Sequence, residues 1–381
     1  MATNERYDAV VVGAGVVGSS CALHLLEAGL ESVLVLEADQ PASKASGRAA
    51  GHLRTYTSGK FDREIVEYCG GFYDDLAARH ESVLLRADRD FVLAHTADGA
   101  AALERHRGES SAPLRALTTD ERLAEAPALD GPDISGTLLF EDAVHTDPHS
   151  VTVATLGDAR ERGATLRLER VVDLSADDGQ VAVRTTDATY RSSVVVAATG
   201  AWTPKLLSTL GLSVPLRPRT SQVAILEPSE PVSFPMFHAP DLGLYGRQEE
   251  SGDVLVGGGS TTPIPDPDSF STRARESFLQ HVADAAGEVS TALSEAELVN
   301  DWAGRCSATP DRNPLIGATA VEGLYVCAGF NGGGVARAPF AGRLLADLAL
   351  GRDPPFDPTP FDPARFTGDE EFEVKSASTD W

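Results

Sequence analysis

Apolar and polar positions along this chain fall into blocks whose period switches between strand-like and helical. Residues 7–12 are a short apolar run ending in Val10-Val11-Val12, as in a strand covered on both faces. A glycine-rich turn follows, Gly13-Ala14-Gly15-Val16-Val17-Gly18. Residues 19–28 then continue as a helix, and 32–36 make a second apolar strand ending at Glu37. Further on, 150–163 reads as a helix, 164–172 as a strand, and 181–184 with 188–191 as a hairpin. Residues 193–198 form another short apolar strand, stopping at Thr199-Gly200-Ala201-Trp202. The block 215–260 differs, because 222–227, 242–247 and 253–257 are short strands divided by turn residues. Residues 271–300 are helix-rich, with Phe278, Val282, Ala286 and Val289 at helical spacing. Residues 323–328 return to buried-strand composition, and 338–350 make the last helix.

Buried parallel-type strands on both sides of an antiparallel block predict an α/β chain. A Rossmann-like dinucleotide-binding domain would carry an inserted α+β domain built on an antiparallel sheet. The expected division is 1–85, 145–215 and 300–350 for the first domain, and 86–144 and 216–299 for the second. Residues 351–381 form a Pro- and Asp-rich tail, expected to wrap the surface or to be disordered.

The opening turn carries the first chemistry. In a G-x-G-x-x-G turn between strand and helix, Gly13 permits the tight bend and Gly15 lets backbone approach a pyrophosphate. Gly18 brings the helix against the strand. The helix start at Val16 and Val17 offers free N–H groups and a positive dipole end to phosphate. Glu37, followed by Ala38, stands about 20 residues on, where a carboxylate accepts hydrogen bonds from an adenosine ribose. The same carboxylate would repel the 2′-phosphate of NADP.

Composition narrows the partners. The net charge is −25, and lysine occurs only at Lys44, Lys60, Lys205 and Lys375. So acidic a surface excludes nucleic acid and anionic membranes as expected partners and resembles that of proteins from salt-loving organisms. Residues 9–26 are uncharged, but their glycines and mixed strand-and-helix pattern mark a buried start rather than a membrane span. The N-terminus lacks the basic flank of a signal peptide, so a cytoplasmic protein is expected. Cys21, Cys69, Cys306 and Cys327 are scattered, with neither a disulfide framework nor a metal site in their spacing. His145 and His149 are separated by a loop containing Pro148 and read as packing or surface histidines.

Several stretches together resemble the D-amino-acid oxidase superfamily of FAD enzymes, nearest its glycine/sarcosine oxidase and dimethylglycine dehydrogenase branch. They are the opening turn with Glu37, then Ser46-Gly47-Arg48-Ala49-Ala50-Gly51-His52-Leu53-Arg54, then 194–202. Trp302-Ala303-Gly304 leads on to Thr309-Pro310-Asp311-Arg312-Asn313-Pro314 and to Gly329-Phe330-Asn331-Gly332-Gly333-Gly334; Asp147-Pro148-His149 also matches. The resemblance implies the GR2-type FAD-binding fold and FAD rather than NAD. It implies that Ser46, Gly47, Arg48, Ala50 and Gly51 cradle the flavin. Val172 would contact adenine, Thr199, Gly200 and Trp202 would form a cofactor-side turn, and the loop through Asn331, Gly332, Gly333, Gly334 and Val335 would lie beside the flavin pyrimidine. A helix start there would stabilise negative charge on reduced flavin.

The substrate implied is a small amino acid or N-methyl amino acid, whose C–N bond is oxidised by hydride transfer to flavin N5. Arg54 fills the family position for the substrate carboxylate, and Tyr245 and Arg247 match the pocket-wall strand. Departures are informative. The carboxylate arginine four residues after the W-A-G tryptophan is Cys306 here, with Arg305 one position earlier. The flavin-linking cysteine is replaced by Gly304, implying non-covalent FAD. The lysine of the late loop is replaced by Ala336, next to Arg337. The lysine that assists oxygen aligns near Leu255, which favours a dehydrogenase passing electrons to a carrier protein or quinone over an oxidase using O2, although His52 could serve. Two alternatives stay open: a 2-hydroxy acid dehydrogenase with His52 as base, and a flavin subunit of an electron-transfer complex. A homo-oligomer is compatible with either.

Overall fold

The computed structural model describes residues 4–54, 63–109, 114–264 and 266–374, without the side chains of Arg54 and of 259–262. Among these residues the strands form three sheets. The six-stranded sheet runs in the spatial order Leu315–Ala318, Leu324–Ala328, Val195–Ala197, Ala9–Val12, Val33–Glu37, Ala164–Leu168. Its pairs are parallel except for Leu315–Ala318 against Leu324–Ala328. Side-chain alternation splits its residues between two cores. Ala9, Val11, Val33 and Val35 face the helices, while Val10, Val12, Leu34 and Leu36 face Val181, Val183 and Tyr190 of a four-stranded sheet. That sheet has the order Asn4–Arg6, Thr189–Ser192, Gln180–Thr185, Val171–Asp177.

Helix Val16–Glu27 packs between helices Gly334–Ala349 and Pro148–Glu161. The first crossing is close because Gly342 has no side chain: a Cβ there would stand 2.4 Å from Ser20 Oγ. Asp147 starts the other helix by accepting the N–H groups of His149 and Ser150 at 3.2 and 2.9 Å, with Pro148 in the first turn.

The third sheet is nine-stranded, running Glu297–Ala308, Arg217–Glu227, Val254–Pro263, Leu244–Gln248, Met236–Ala239, Arg86–Ala94, Gly136–His145, His52–Arg54, with Leu114–Ala116 added beside Gly136–His145. Helix Glu276–Val289 covers it, burying Phe278, Val282, Ala286 and Val289 as their spacing predicts.

Several details differ from the sequence expectation. The single strand expected at 164–172 breaks at Glu169 and Arg170, and its halves join different sheets. The last helix begins at Gly334 rather than 338. His52–Arg54, well inside the 1–85 segment expected for the first domain, and Glu297–Ala308, which crosses the expected limit at 299/300, pair into the nine-stranded sheet. The tail is anchored through the described part: Phe356 and Phe361 bury edge-on against Phe340, with ring centroids 5.0 and 4.9 Å away. Arg365 grips Asp311 with two hydrogen bonds, of 3.0 and 3.1 Å. Among the described residues no helix is long and apolar enough to cross a membrane.

Candidate functional site

The carboxyl ends of the parallel strands open onto a cavity of about 1400 Å³. That is where an open α/β sheet binds its ligand. Gly13 sits at the end of the central strand with φ +110°, and a Cβ on it would meet the Ala198 carbonyl oxygen at 2.5 Å. Gly15 is the N-cap of the following helix and has no side chain of its own, so the helix start borders the cavity with only Ser46 beside it. Ser46 Oγ accepts the Val16 N–H at 3.0 Å and ties the 46–51 segment to this helix start. Glu37 Oε2 accepts the Ala14 N–H at 2.8 Å and Oε1 accepts that of Asp39 at 3.0 Å. Its carboxylate thus holds the glycine turn in shape and still borders the cavity beside Ala38 and Val172.

The remaining cradle comes from three loops. Arg48, Ala50 and Gly51 line one wall; Arg48 donates to the Ser43 and Lys44 carbonyls, and Gly51, with φ +81°, has no room for a Cβ beside Thr146. Thr199, Gly200 and Trp202 line another, with Trp202 Nε1 donating to Asp268 at 2.8 Å. The third is the 329–334 loop, organised by buried Asn331 at φ +54°. Its amide donates to Thr309 Oγ1, the Arg312 carbonyl and the Gly329 carbonyl at 3.1, 3.0 and 2.7 Å. Asn331 therefore shapes the loop with its side chain rather than offering that side chain to a ligand. Gly332, Gly333, Gly334 and Val335 border the cavity at the start of the last helix. Arg337 lies against Gly333, and burial pulls its guanidinium down to about 9, so it stays charged at neutral pH.

One face of the nine-stranded sheet closes the far end. Tyr245 lies flat over Gly257, where a Cβ would come within 2.3 Å of its ring; burial raises its phenol, which hydrogen-bonds Ser221. The His52 ring meets those of Tyr245 and His238 edge-on, with centroids 5.6 and 5.5 Å apart. His238 Nδ1 pairs with Asp90 Oδ1 at 2.9 Å, and Asp90 is fully buried. Burial first, then the neighbouring His238, Arg247 and His145, holds His52 well below the usual imidazole range; its Nε2 has no hydrogen-bond partner among the described residues.

Not every residue singled out by sequence reaches this space. Gly18 and Gly47 do not line it: they let backbones touch, since Cβ atoms there would meet the Gly13 and Ala42 carbonyl oxygens at 1.9 and 2.3 Å. Arg247 turns away, with Nε on the Ala50 carbonyl at 2.8 Å and Nη2 on Glu249 at 3.1 Å. Arg305 borders the cavity, its guanidinium stacked over Trp202 and Phe270. Arg54 ends a strand, and its side chain lies outside the described residues. Sequence reading missed His238, Asp90 and Arg219. The available signal was Arg219 itself, a charge in register with Val223 and Ile225 on the apolar side of a strand. Among the described residues no cluster of three or more His, Cys, Asp or Glu is arranged to hold a metal.

With this geometry in place, comparison with known proteins is specific. The sequence profile of the family described as FAD dependent oxidoreductase matches residues 8–348. Human mitochondrial dimethylglycine dehydrogenase is 28% identical over 95% of this chain, which spans only 44% of that protein. Glycine oxidase of Geobacillus kaustophilus is 27% identical, with 96% of this chain and 98% of the relative covered. The crystal structure of glycine oxidase from that organism superposes with a TM-score of 0.85 at 25% identity, covering 96% of this chain and all of that one. L-proline dehydrogenase from P. horikoshii gives 0.82 at 25% identity over 96% and 98%.

Proposed function

Given that the chain belongs to the family of FAD-dependent oxidoreductases, we propose that it oxidises the C–N bond of a small amino acid or N-methyl amino acid, giving an imine that hydrolyses. The observation that carries this reading is the continuity of the cavity. One space runs from Glu37 and Val172, past the three loops, to Tyr245, His52 and His238. The residues fit FAD. Gly15 leaves room at a helix start whose own N-cap residue carries no side chain, Glu37 would stand toward the ribose, and a second helix starts at Gly334 beside the opposite end. When bound, FAD supplies the two-electron acceptor, and the chain supplies orientation, exclusion of water and proton handling.

An amine must be neutral to give up a hydride. His52, kept neutral by burial and with Nε2 unpaired among the described residues, borders the cavity, where it would accept a hydrogen bond from a substrate amine that has already lost its proton. Tyr245 and its hydrogen-bonded Ser221 form the adjoining wall. FAD is held without a covalent bond, and electrons pass to a carrier or quinone in preference to O2, a reading supported by the resemblance, which aligns the oxygen-assisting lysine near the apolar Leu255. A 2-hydroxy acid is the second reading, favoured by the same free, neutral imidazole, which would take a hydroxyl proton.

Anaerobic flavin bleaching against amino acids, N-methyl amino acids and 2-hydroxy acids tests these readings. Bleaching by an amine supports the first and bleaching by hydroxy acids alone supports the second. No bleaching by any amine refutes the proposal. Reoxidation by O2 as fast as by a quinone would overturn the acceptor assignment, and acid precipitation that retains flavin on the protein would overturn non-covalent binding.

A further inference from the structure

Arg219 is 2% exposed, yet it borders the cavity from strand Arg217–Glu227. Its Nη2 donates to the Asn331 carbonyl at 3.1 Å, while Nε and Nη1 have no hydrogen-bond partner among the described residues. Nor does any described carboxylate pair with it. A buried guanidinium is stable only when an anion or a set of acceptors compensates it. Two of the other arginines that border the cavity differ: Arg48 is spent on backbone carbonyls, and Arg305 lies over two aromatic rings.

The surroundings of Arg219 say which anion fits. On the neighbouring strand its register partner is Cys306, whose buried thiol feels its charge. Tyr245, hydrogen-bonded to Ser221 two residues along, feels it too. Tyr245 in turn touches His52. A cation, a phenol and a neutral imidazole thus follow one another along one wall. That order matches an amino acid, with its carboxylate at one end and its amine at the other. We propose that Arg219, a buried guanidinium with unpaired donors at the cavity border, is an anchor for the substrate carboxylate.

This rests on the reading of the site as one for amino acids, but its test needs no turnover. Acetate is titrated into the FAD-loaded protein and followed by the perturbation of flavin absorbance, with acetamide as the uncharged isostere. Acetate should bind at least tenfold more tightly than acetamide. R219M should weaken acetate at least tenfold while keeping FAD content and acetamide affinity, and R219K should fall between the two. Equal binding of acetate and acetamide to the unaltered protein overturns the proposal, as does R219M with unchanged acetate affinity. If R219M cannot retain FAD, R219K decides: unchanged acetate affinity there overturns the assignment, and a loss of threefold or more specific to acetate sustains it. Failure of the amine reading shows separately, as absent flavin bleaching with intact acetate binding.

Discussion

Alanine at Gly18 and at Gly15 separates two different reasons for a glycine in one turn. At Gly18 an added Cβ would stand 1.9 Å from the Gly13 carbonyl oxygen and 3.4 Å from Ala198 Cβ. The obstacle is backbone at the end of the central strand, so the helix itself must retreat by about 1 Å. Overpacking of this kind costs about 1–3 kcal/mol, and alanine in a helix returns about 1 kcal/mol relative to glycine. With backbone as the obstacle the cost lies at the upper end, leaving a net loss of about 2 kcal/mol and a fall in Tm of about 2.5 °C. Gly15 is different. Its φ of −74° and ψ of 175° suit any residue, and an added Cβ meets only Ser46 Oγ, at 3.1 Å. Stability of the FAD-free protein should then change by no more than about 0.5 kcal/mol. What the methyl fills is the space beside the helix start, so FAD affinity should fall at least tenfold, about 1.4 kcal/mol. Thermal unfolding of both variants without FAD, and FAD titration by flavin fluorescence, measure the two effects. A G18A protein as stable as its parent, or a G15A protein binding FAD within twofold of it, refutes the reasoning.

Trp302→Phe removes the Nε1 donor to the Arg48 carbonyl at 3.0 Å; FAD affinity should weaken about fivefold, roughly 1 kcal/mol, and an unchanged Kd counts against the link. Arg365→Ala frees the tail from Asp311 and from the Asn313 carbonyl. A loss of about 1–3 kcal/mol in urea unfolding is expected, with faster proteolysis after Phe361, and an unaltered midpoint would contradict it. Burial holds His52 well below the usual imidazole range, so it stays neutral in the folded chain and protonates on unfolding below about pH 6.5. The unfolded chain then binds more protons, and stability declines as pH falls through that value; His52→Gln should lessen the drop in Tm between about pH 7.5 and 5. Identical slopes in variant and parent would remove His52 from that account.

The nucleotide half is legible in the sequence because its requirements are local. Three glycines, an apolar strand and a terminal carboxylate lie within residues 7–37, and each acts on a near neighbour in sequence or in the same βαβ unit. The far half is less legible because its parts converge from distant segments. Strand Met236–Ala239 is short, and it brings His238 to Asp90 only by pairing in parallel with Arg86–Ala94. The break at Glu169 and Arg170 follows from sheet membership, which hydropathy does not encode. Arg247 has the same position in its motif whether it faces ligand or Glu249; only the fold turns it to the Ala50 carbonyl.

Strand Glu297–Ala308 explains why cofactor cradle and substrate wall cannot vary independently. Trp302 holds the Arg48 carbonyl, and Gly304 leaves Arg48 Cβ 3.4 Å from where its own Cβ would stand. Cys306 is the register partner of Arg219, and the Ser307 carbonyl accepts the Asn331 N–H at 3.0 Å. Successive residues of one rigid strand thus touch the 46–51 segment, the substrate-facing cation and the 329–334 loop. A methyl at 304 would rest against Arg48 Cβ, and a shift of that strand would carry Arg219 with it through the ladder it shares with Arg217–Glu227. Specificity for the substrate is therefore free to change mainly where this strand is not a neighbour, on the side of His52 and His238, whose positions are set by Asp90 and by the pairing of His52–Arg54 with Gly136–His145.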